Sequence, residues 1–311
     1  MSNLASSFSF PARLAASAAR ARSFRILPAC LALALSLSAG CRGGDGPPAA
    51  DAMDLSVPAD LTAPMVKNVT IRELNDPSGG VKTGDRVRFS GVVITPQTWV
   101  TFDTGGTGFC YFRIMLMQAD GSPTTIRDGI AVTLGLKAML GDMSHITECS
   151  QLAKMDTVGT AMFAAKLGDQ VEIEGKMSSR GSGATATRQV DVFKGELVNK
   201  GAAAMMPVPL EADPMTYVPA QTGLTQAFAD AQGVLVTFKA VTTNTRDKMY
   251  QDFSVNTGAS GGARIATNFL RVANSSYMSP AEGTVLPSIT GIVTGDFKGT
   301  IWPRNEADIV K

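Results

Sequence analysis

Apolar and polar residues alternate along most of the chain beyond residue 65, and a period of two predicts strands. "DRVRFSGVVI" (Asp85–Ile94) places Val87, Phe89, Gly91 and Val93 on one face. "FCYFRIMLMQ" (Phe109–Gln118) and "DGIAVTLGL" (Asp128–Leu136) predict the next two strands. A helical period then takes over in "TECSQLAKMDTVGTAMFAAKL" (Thr147–Leu167), with Leu152, Met155 and, after a break, Met162 as its expected buried face. "GDQVEIEGKM" (Gly168–Met177) and "TRQVDVFKGELV" (Thr187–Val198) predict two more strands around the Gly/Ser turn "SSRGSGAT".

The same order follows more faintly after the Pro-rich joint "AMMPVPLEADP". A short helical turn and a strand are expected in "LTQAFADAQGVLVTFKAVTTN" (Leu224–Asn244). Further strands are expected in "KMYQDFSVNT" (Lys248–Thr257) and "GARIATNFLRV" (Gly262–Val272). "SSYMSPAEG" leaves room for only a turn of helix before the closing strands of Thr284–Val310.

One frame, K-x-G-D-x-V-x-x-x-G, occurs twice, beginning at Lys82 and at Lys166. Gly inside a strand marks a bend or bulge, so Gly91 and Gly175 are expected to curve their strands. The order β-β-β-α-β-β resembles the OB-fold, a five-stranded Greek-key barrel with a helix between strands three and four. Both copies of the frame then fall in one barrel, on strands one and four. The expected fold class is all-β with minor α: two small OB-like Greek-key β-barrels in tandem, over residues 66–200 and 201–311. The end of the chain, "IWPRNEADI", resembles the small β-domains that accompany secreted bacterial nucleases and surface proteins. That resemblance implies a fold and no activity.

The N-terminus reads as an address. Four arginines (Arg13, Arg20, Arg22, Arg25) precede the uncharged "ILPACLALALSLSAG", which is too short to span a bilayer and suits a signal peptide. The segment ends in "LSAGC", which resembles the lipobox of bacterial lipoproteins, with Leu37 one place earlier than usual. The resemblance implies a signal peptide over residues 1–41 and lipidation of Cys41. Residues 42–65, rich in Pro, Gly, Ala and Asp, form the expected disordered tether. The expected location is the cell envelope, on the outer membrane of a Gram-negative bacterium.

Removing the four leader arginines from the formal charge of +1 leaves −3 on the remainder. A mildly acidic body has no bulk attraction for phosphate backbones. Of four cysteines, Cys30 and Cys41 belong to the leader, so Cys110 and Cys149 are expected to pair in an oxidising compartment. With one histidine (His145) and no CxxC, no zinc site is expected. No nucleotide-binding glycine motif is present, so no cofactor is expected. "FDTGGTG" (Phe102–Gly108) contains one Asp-Thr-Gly, where aspartic-protease chemistry needs two carboxylates sharing a proton. It reads as a loop, and no catalytic set is expected.

OB-folds bind on the face of strands two and three. In the first barrel that face supplies Tyr111, Arg113 and Gln118, with Trp99 in the preceding loop, as candidate ligand contacts. Tyr250 and Phe253 occupy the equivalent stretch of the second barrel. The expected function is noncatalytic: binding a protein, glycan or other envelope ligand while the lipid holds the membrane. The competing expectation is a nucleic-acid-binding protein or nuclease accessory, which needs exposed aromatics interleaved with cations.

Overall fold

The computed structural model describes residues 65–102, 109–137, 145–181, 183–247, 249–258 and 261–311. The expected signal peptide, Cys41, nearly all of the tether and the Asp-Thr-Gly loop lie outside the described residues. Of His145 only its backbone place is described.

The first half holds β1 (Lys67–Asn68), α1 (Ile71–Leu74), β2 (Arg86–Val93), β3 (Trp99–Phe102), β4 (Phe109–Met117) and β5 (Gly129–Lys137). It continues with α2 (His145–Lys154), α3 (Thr157–Ala164), β6 (Asp169–Arg180) and β7 (Thr187–Ala202). Pairing runs β2–β4–β5–β7–β6 and back to β2, a closed ring in which only β5–β7 is parallel. That is the OB strand order, and β1 and β3 add to it from outside.

The second half holds β8 (Leu210–Glu211), α4 (Gln226–Asp230), β9 (Leu235–Arg246), β10 (Phe253–Asn256) and β11 (Ala263–Ile265). Then follow α5 (Asn268–Ala273), β12 (Val285–Thr294), β13 (Thr300–Trp302) and β14 (Ile309–Val310). Its ring runs β9–β10–β11–β13–β12–β9 and closes through a single parallel pair, Ile265 opposite Ile301.

The repeated frame has a mechanical meaning. In each copy the lysine N–H donates to the aspartate carboxylate (Lys82 to Asp85, 2.8 Å; Lys166 to Asp169, 2.9 Å). The aspartate N–H donates back to the lysine carbonyl. The intervening Gly84 and Gly168 sit at φ 101° and 90°, where a side chain is disfavoured. The two strands so launched pair with each other: Val87 stands opposite Gly175 and Gly91 opposite Val171. Each valine therefore meets the other copy's glycine. The second barrel opens its paired strands β9 and β12 with the same kind of turn, at Gly233 and Gly283.

Helices α2 and α3 close the first barrel. Cys149, Ala153 and Met162 are buried in its core, and Asp156 caps α3 by accepting from Gly159 N–H at 2.8 Å. Cys110 and Cys149 form a disulfide with an S–S distance of 2.03 Å, fixing α2 to β4. Three expectations are corrected. Met155 is not on the buried face of the tract 147–167 but lies in the break between α2 and α3, 86% exposed. Trp99 belongs to strand β3, paired with β4, because Trp99–Phe102 finds backbone partners there. The third strand of the second barrel ends at Ile265, and "NFLRVA" forms α5, burying Phe269 and Leu270 on one side. The second barrel thus carries its own helix between strands three and four. At the chain's end Trp302 is buried, and Arg304 grips Asp308 through two guanidinium nitrogens at 2.7 and 2.9 Å.

Candidate functional site

Alternate residues of β4 point opposite ways. Cys110, Phe112, Ile114 and Leu116 fill the first barrel, whereas Met115 and Met117, with Ala131 from β5 and Ile94, join the core of the second. Trp99 packs edge-on against Phe269 (5.9 Å between centroids) and Trp302 (4.8 Å). Gly129 and Gly233 press backbone to backbone: a Cβ on Gly129 would lie 2.1 Å from the Gly233 carbonyl carbon. The lower part of the β4–β5 face, where an OB-fold receives its ligand, is therefore covered by the second barrel.

The residues expected to bind ligand divide accordingly. Arg113 is buried and donates to Asp296 at 2.5 Å; Arg180 donates to the other oxygen of the same carboxylate at 2.9 Å. Burial lowers the Arg113 pKa from the ordinary arginine range, opposed by the Asp296 charge. Trp99, partly buried, and Arg113, buried, thus make contacts between the barrels, where the apolar odd-numbered face of β4 is covered. Tyr111 remains 41% exposed beside β5 and stacks on Phe109 at 6.1 Å, while Gln118 lines a separate open hollow. Gln118 spends its amide within the fold, donating to Asp120 at 2.5 Å and accepting from Arg72 N–H at 3.2 Å.

The second barrel keeps the equivalent face open. A groove of about 500 Å³ runs over β10 and β11 and the end of β9, lined by Asn244, Thr245, Ser254, Arg264, Asp247 and Asp252 among others. Alternation builds it: Phe253 and Val255 point into the core, leaving Ser254 outside. The Thr245 and Ser254 hydroxyls share a hydrogen bond at 2.7 Å across the strands. Arg264 donates to Asp252 at 2.8 Å, and Asp252 also accepts from Thr267 N–H. Gly262, at φ 147°, floors one end; a Cβ there would strike the Val255 carbonyl oxygen at 2.0 Å.

The loop between β9 and β10 walls the groove. Asp247 accepts from the N–H groups of Met249 (2.8 Å) and Tyr250 (3.1 Å), which lower its pKa and keep it ionised. Tyr250 is exposed with the Arg271 guanidinium 5.8 Å from its ring centre. Of the aromatics expected here, Tyr250 therefore stands beside the groove, while Phe253 is core. Ser254 and Arg264 were missed in sequence. Their signal was the alternation itself, polar residues out of phase with Phe253, Val255, Ala263 and Ile265. Among the described residues, no group of three His, Cys, Asp or Glu side chains converges.

No family model matches the chain, and no curated protein does. Among solved structures it is similar to the single-stranded DNA binding protein from Thermus aquaticus, at 10% identity over 72% of this chain and 91% of that one, with a TM-score of 0.24. It is also similar to the Plasmodium falciparum single-stranded DNA binding protein in complex with DNA, at 13% identity over 39% and 97%, with a TM-score of 0.20. A replication protein A heterotrimer bound to single-stranded DNA matches at 9% identity over 75% and 52%, with a TM-score of 0.24. Likeness this remote concerns the fold alone, and the strand order of the two rings is what assigns it.

Proposed function

We propose that this chain is a noncatalytic binding protein of the cell envelope, anchored through Cys41, whose ligand lies across the β10–β11 face of the second barrel. One observation carries the reading: of two equivalent OB faces, one is largely closed by its neighbour and the other is an open polar groove. Its lining offers hydroxyls, an amide and an ion pair, and the two carboxylates Asp247 and Asp252 outnumber Arg264. Such a lining carries no excess of positive charge and suits a neutral, hydroxyl-rich ligand, an envelope glycan.

Single-stranded nucleic acid, bound by the similar structures above, is the second reading. Tyr250 with Arg271 would serve it as a stacking platform. One titration series separates the two. The detergent-solubilised chain is titrated calorimetrically with envelope oligosaccharides and with oligothymidylate at about 50 and 200 mM salt. The glycan reading expects saccharide binding that Ser254→Phe abolishes and no oligothymidylate binding at either salt. Oligothymidylate binding with a steep salt slope overturns it in favour of the second reading. Saccharide binding indifferent to Ser254→Phe removes the groove.

A further inference from the structure

Strands β6 and β7 shift register twice, by one residue between Asp169 and Val171 and by three between Glu174 and Lys176. Glu174 faces Glu196 and Lys176 faces Asp191, so Gly175 alone opposes Val192, Phe193, Lys194 and Gly195. An ordinary bulge inserts one residue. Here Val192 stays in the core, and Phe193 is turned outward, 53% exposed. Lys194 sits at φ 59°, a left-handed conformation that disfavours a side chain. The distortion is pinned: Asp191 accepts from Phe193 N–H at 2.9 Å. Gly195 passes so close that a Cβ would lie 2.2 Å from the Glu174 carbonyl oxygen. Backbone held in a costly conformation by its surroundings is a mark of functional sites.

The bulge encloses a hollow of about 150 Å³ lined by Arg86, Gly175, Lys176, Phe193, Lys194 and Gly195. Three cationic residues line it, and no acidic residue does. The neighbouring Glu174 is already shared by Arg86 at 2.5 Å and Arg88 at 2.6 Å. Among the described residues, neither Lys176 nor Lys194 has a carboxylate within ion-pair distance. Glu174 balances Arg86, and the Lys194 ammonium stands 5.7 Å over the Phe193 ring, which leaves Lys176 and Lys194 as the positive charges that an anion would offset. A water occupies about 30 Å³, so the hollow has room for one tetrahedral oxyanion with a few waters.

We propose that this bulge is an oxyanion site, separate from the groove of the second barrel, that takes a single phosphate group. The phosphate is either free in solution or the headgroup of a phospholipid at the envelope surface, where the Phe193 ring would meet the bilayer interface.

The test is the thermal midpoint of the full chain in neutral detergent. Inorganic phosphate is added in one arm, and phosphatidylglycerol is doped into the micelles in the other. Wild type is expected to gain stability in one arm, and that arm identifies the source. Lys176→Ala is expected to weaken the apparent Kd about tenfold, the loss of one charge-assisted hydrogen bond. Lys194→Gly is expected to raise the ligand-free midpoint, because glycine tolerates the positive φ, while also losing about tenfold in affinity. Gain of stability with loss of binding is a signature that a structural role for Lys194 does not produce. Absence of a shift in both arms, or shifts in both variants equal to wild type, overturns the proposal. Ser254→Phe, which fills the other groove, is expected to leave both arms unchanged, so the two sites fail independently.

Discussion

If the second barrel is the cover of the first, neither should unfold alone. The chain has two tryptophans, and they come from different barrels with ring centres 4.8 Å apart. Truncating a buried tryptophan to alanine costs about 3–5 kcal/mol. Trp99 is only partly buried, but it also loses edge contacts to Phe269 and Trp302. Each aromatic pair is worth about 0.5–1.5 kcal/mol beyond its area. Trp99→Ala is therefore expected to cost about 3 kcal/mol. With a urea slope near 3 kcal/mol per molar, the midpoint should fall by about 1 M.

The assay is urea unfolding followed by far-UV circular dichroism and by the remaining fluorescence of Trp302. Both signals should move together, because the perturbation sits in one barrel and the reporter in the other. A cycle with Phe269→Ala should return a coupling of about 1 kcal/mol. A loss below about 0.5 kcal/mol, the ordinary size for a surface substitution, would refute the reasoning. So would a Trp302 transition that stays in place while the circular dichroism shifts.

Asp296→Ala leaves Arg113 buried without its counter-charge and is expected to cost about 3 kcal/mol in the same urea assay, whereas Arg113→Met with Asp296→Leu should recover most of it. Replacing Cys110 and Cys149 by serine opens a loop of 39 residues, worth about 4 kcal/mol in the chain-entropy treatment, and should lower the midpoint with loss of α2 protection in hydrogen exchange. Gly129→Ala drives a methyl into the Gly233 backbone and should cost about 3 kcal/mol, while Gly135→Ala, which meets only the Tyr111 ring at 3.3 Å, should cost far less in parallel melts. Burial pushes the Tyr217 and Tyr277 phenols up to about 12, so the unfolded chain releases these protons first; stability should be whole below about pH 10 and fall between 10 and 12, read as late tyrosinate absorbance coinciding with unfolding.

The barrels were legible in sequence because their strands are amphipathic, and each core needs one face of each strand. The K-x-G-D frame was visible as a repeat, and the structure adds the turn it makes, a glycine at positive φ beside an aspartate that returns a hydrogen bond. The covered face was not. "YFRIMLM" reads as a strand apolar on nearly every position, and one sequence cannot say whether the outward residues meet ligand, solvent or another barrel. Met115 and Met117 were the available hint: large apolar groups on both faces of a strand require burial on both sides. Trp99 and Arg113 were drawn as ligand contacts because an aromatic and a cation on an OB face look alike whether they stack on a ligand or on Trp302 and Asp296. The α5 helix was misread because "GARIATNFLRV" keeps apolar residues at spacings that serve both periods, and the turn at Thr267 became visible only through its bond to Asp252.

Closure of one face also constrains how the other works. Both barrels fall in a single compact unit and share core residues, so binding by closure of one barrel over the other would tear apolar contacts apart. On the proposed function, the groove on β10 and β11 would recognise its ligand largely as it stands. Its wall is built for that: Asp247 holds the backbone of Met249 and Tyr250, and Gln251, at φ 58°, accepts from Arg246 at 2.7 Å and from Ser279. A loop tied at three points loses little conformational entropy on binding, so modest polar contacts to a hydroxylated ligand suffice for recognition. On the same reading, specificity would lie in the positions of Thr245, Ser254 and Arg264, whose hydrogen bonds and ion pair a ligand would have to match or displace.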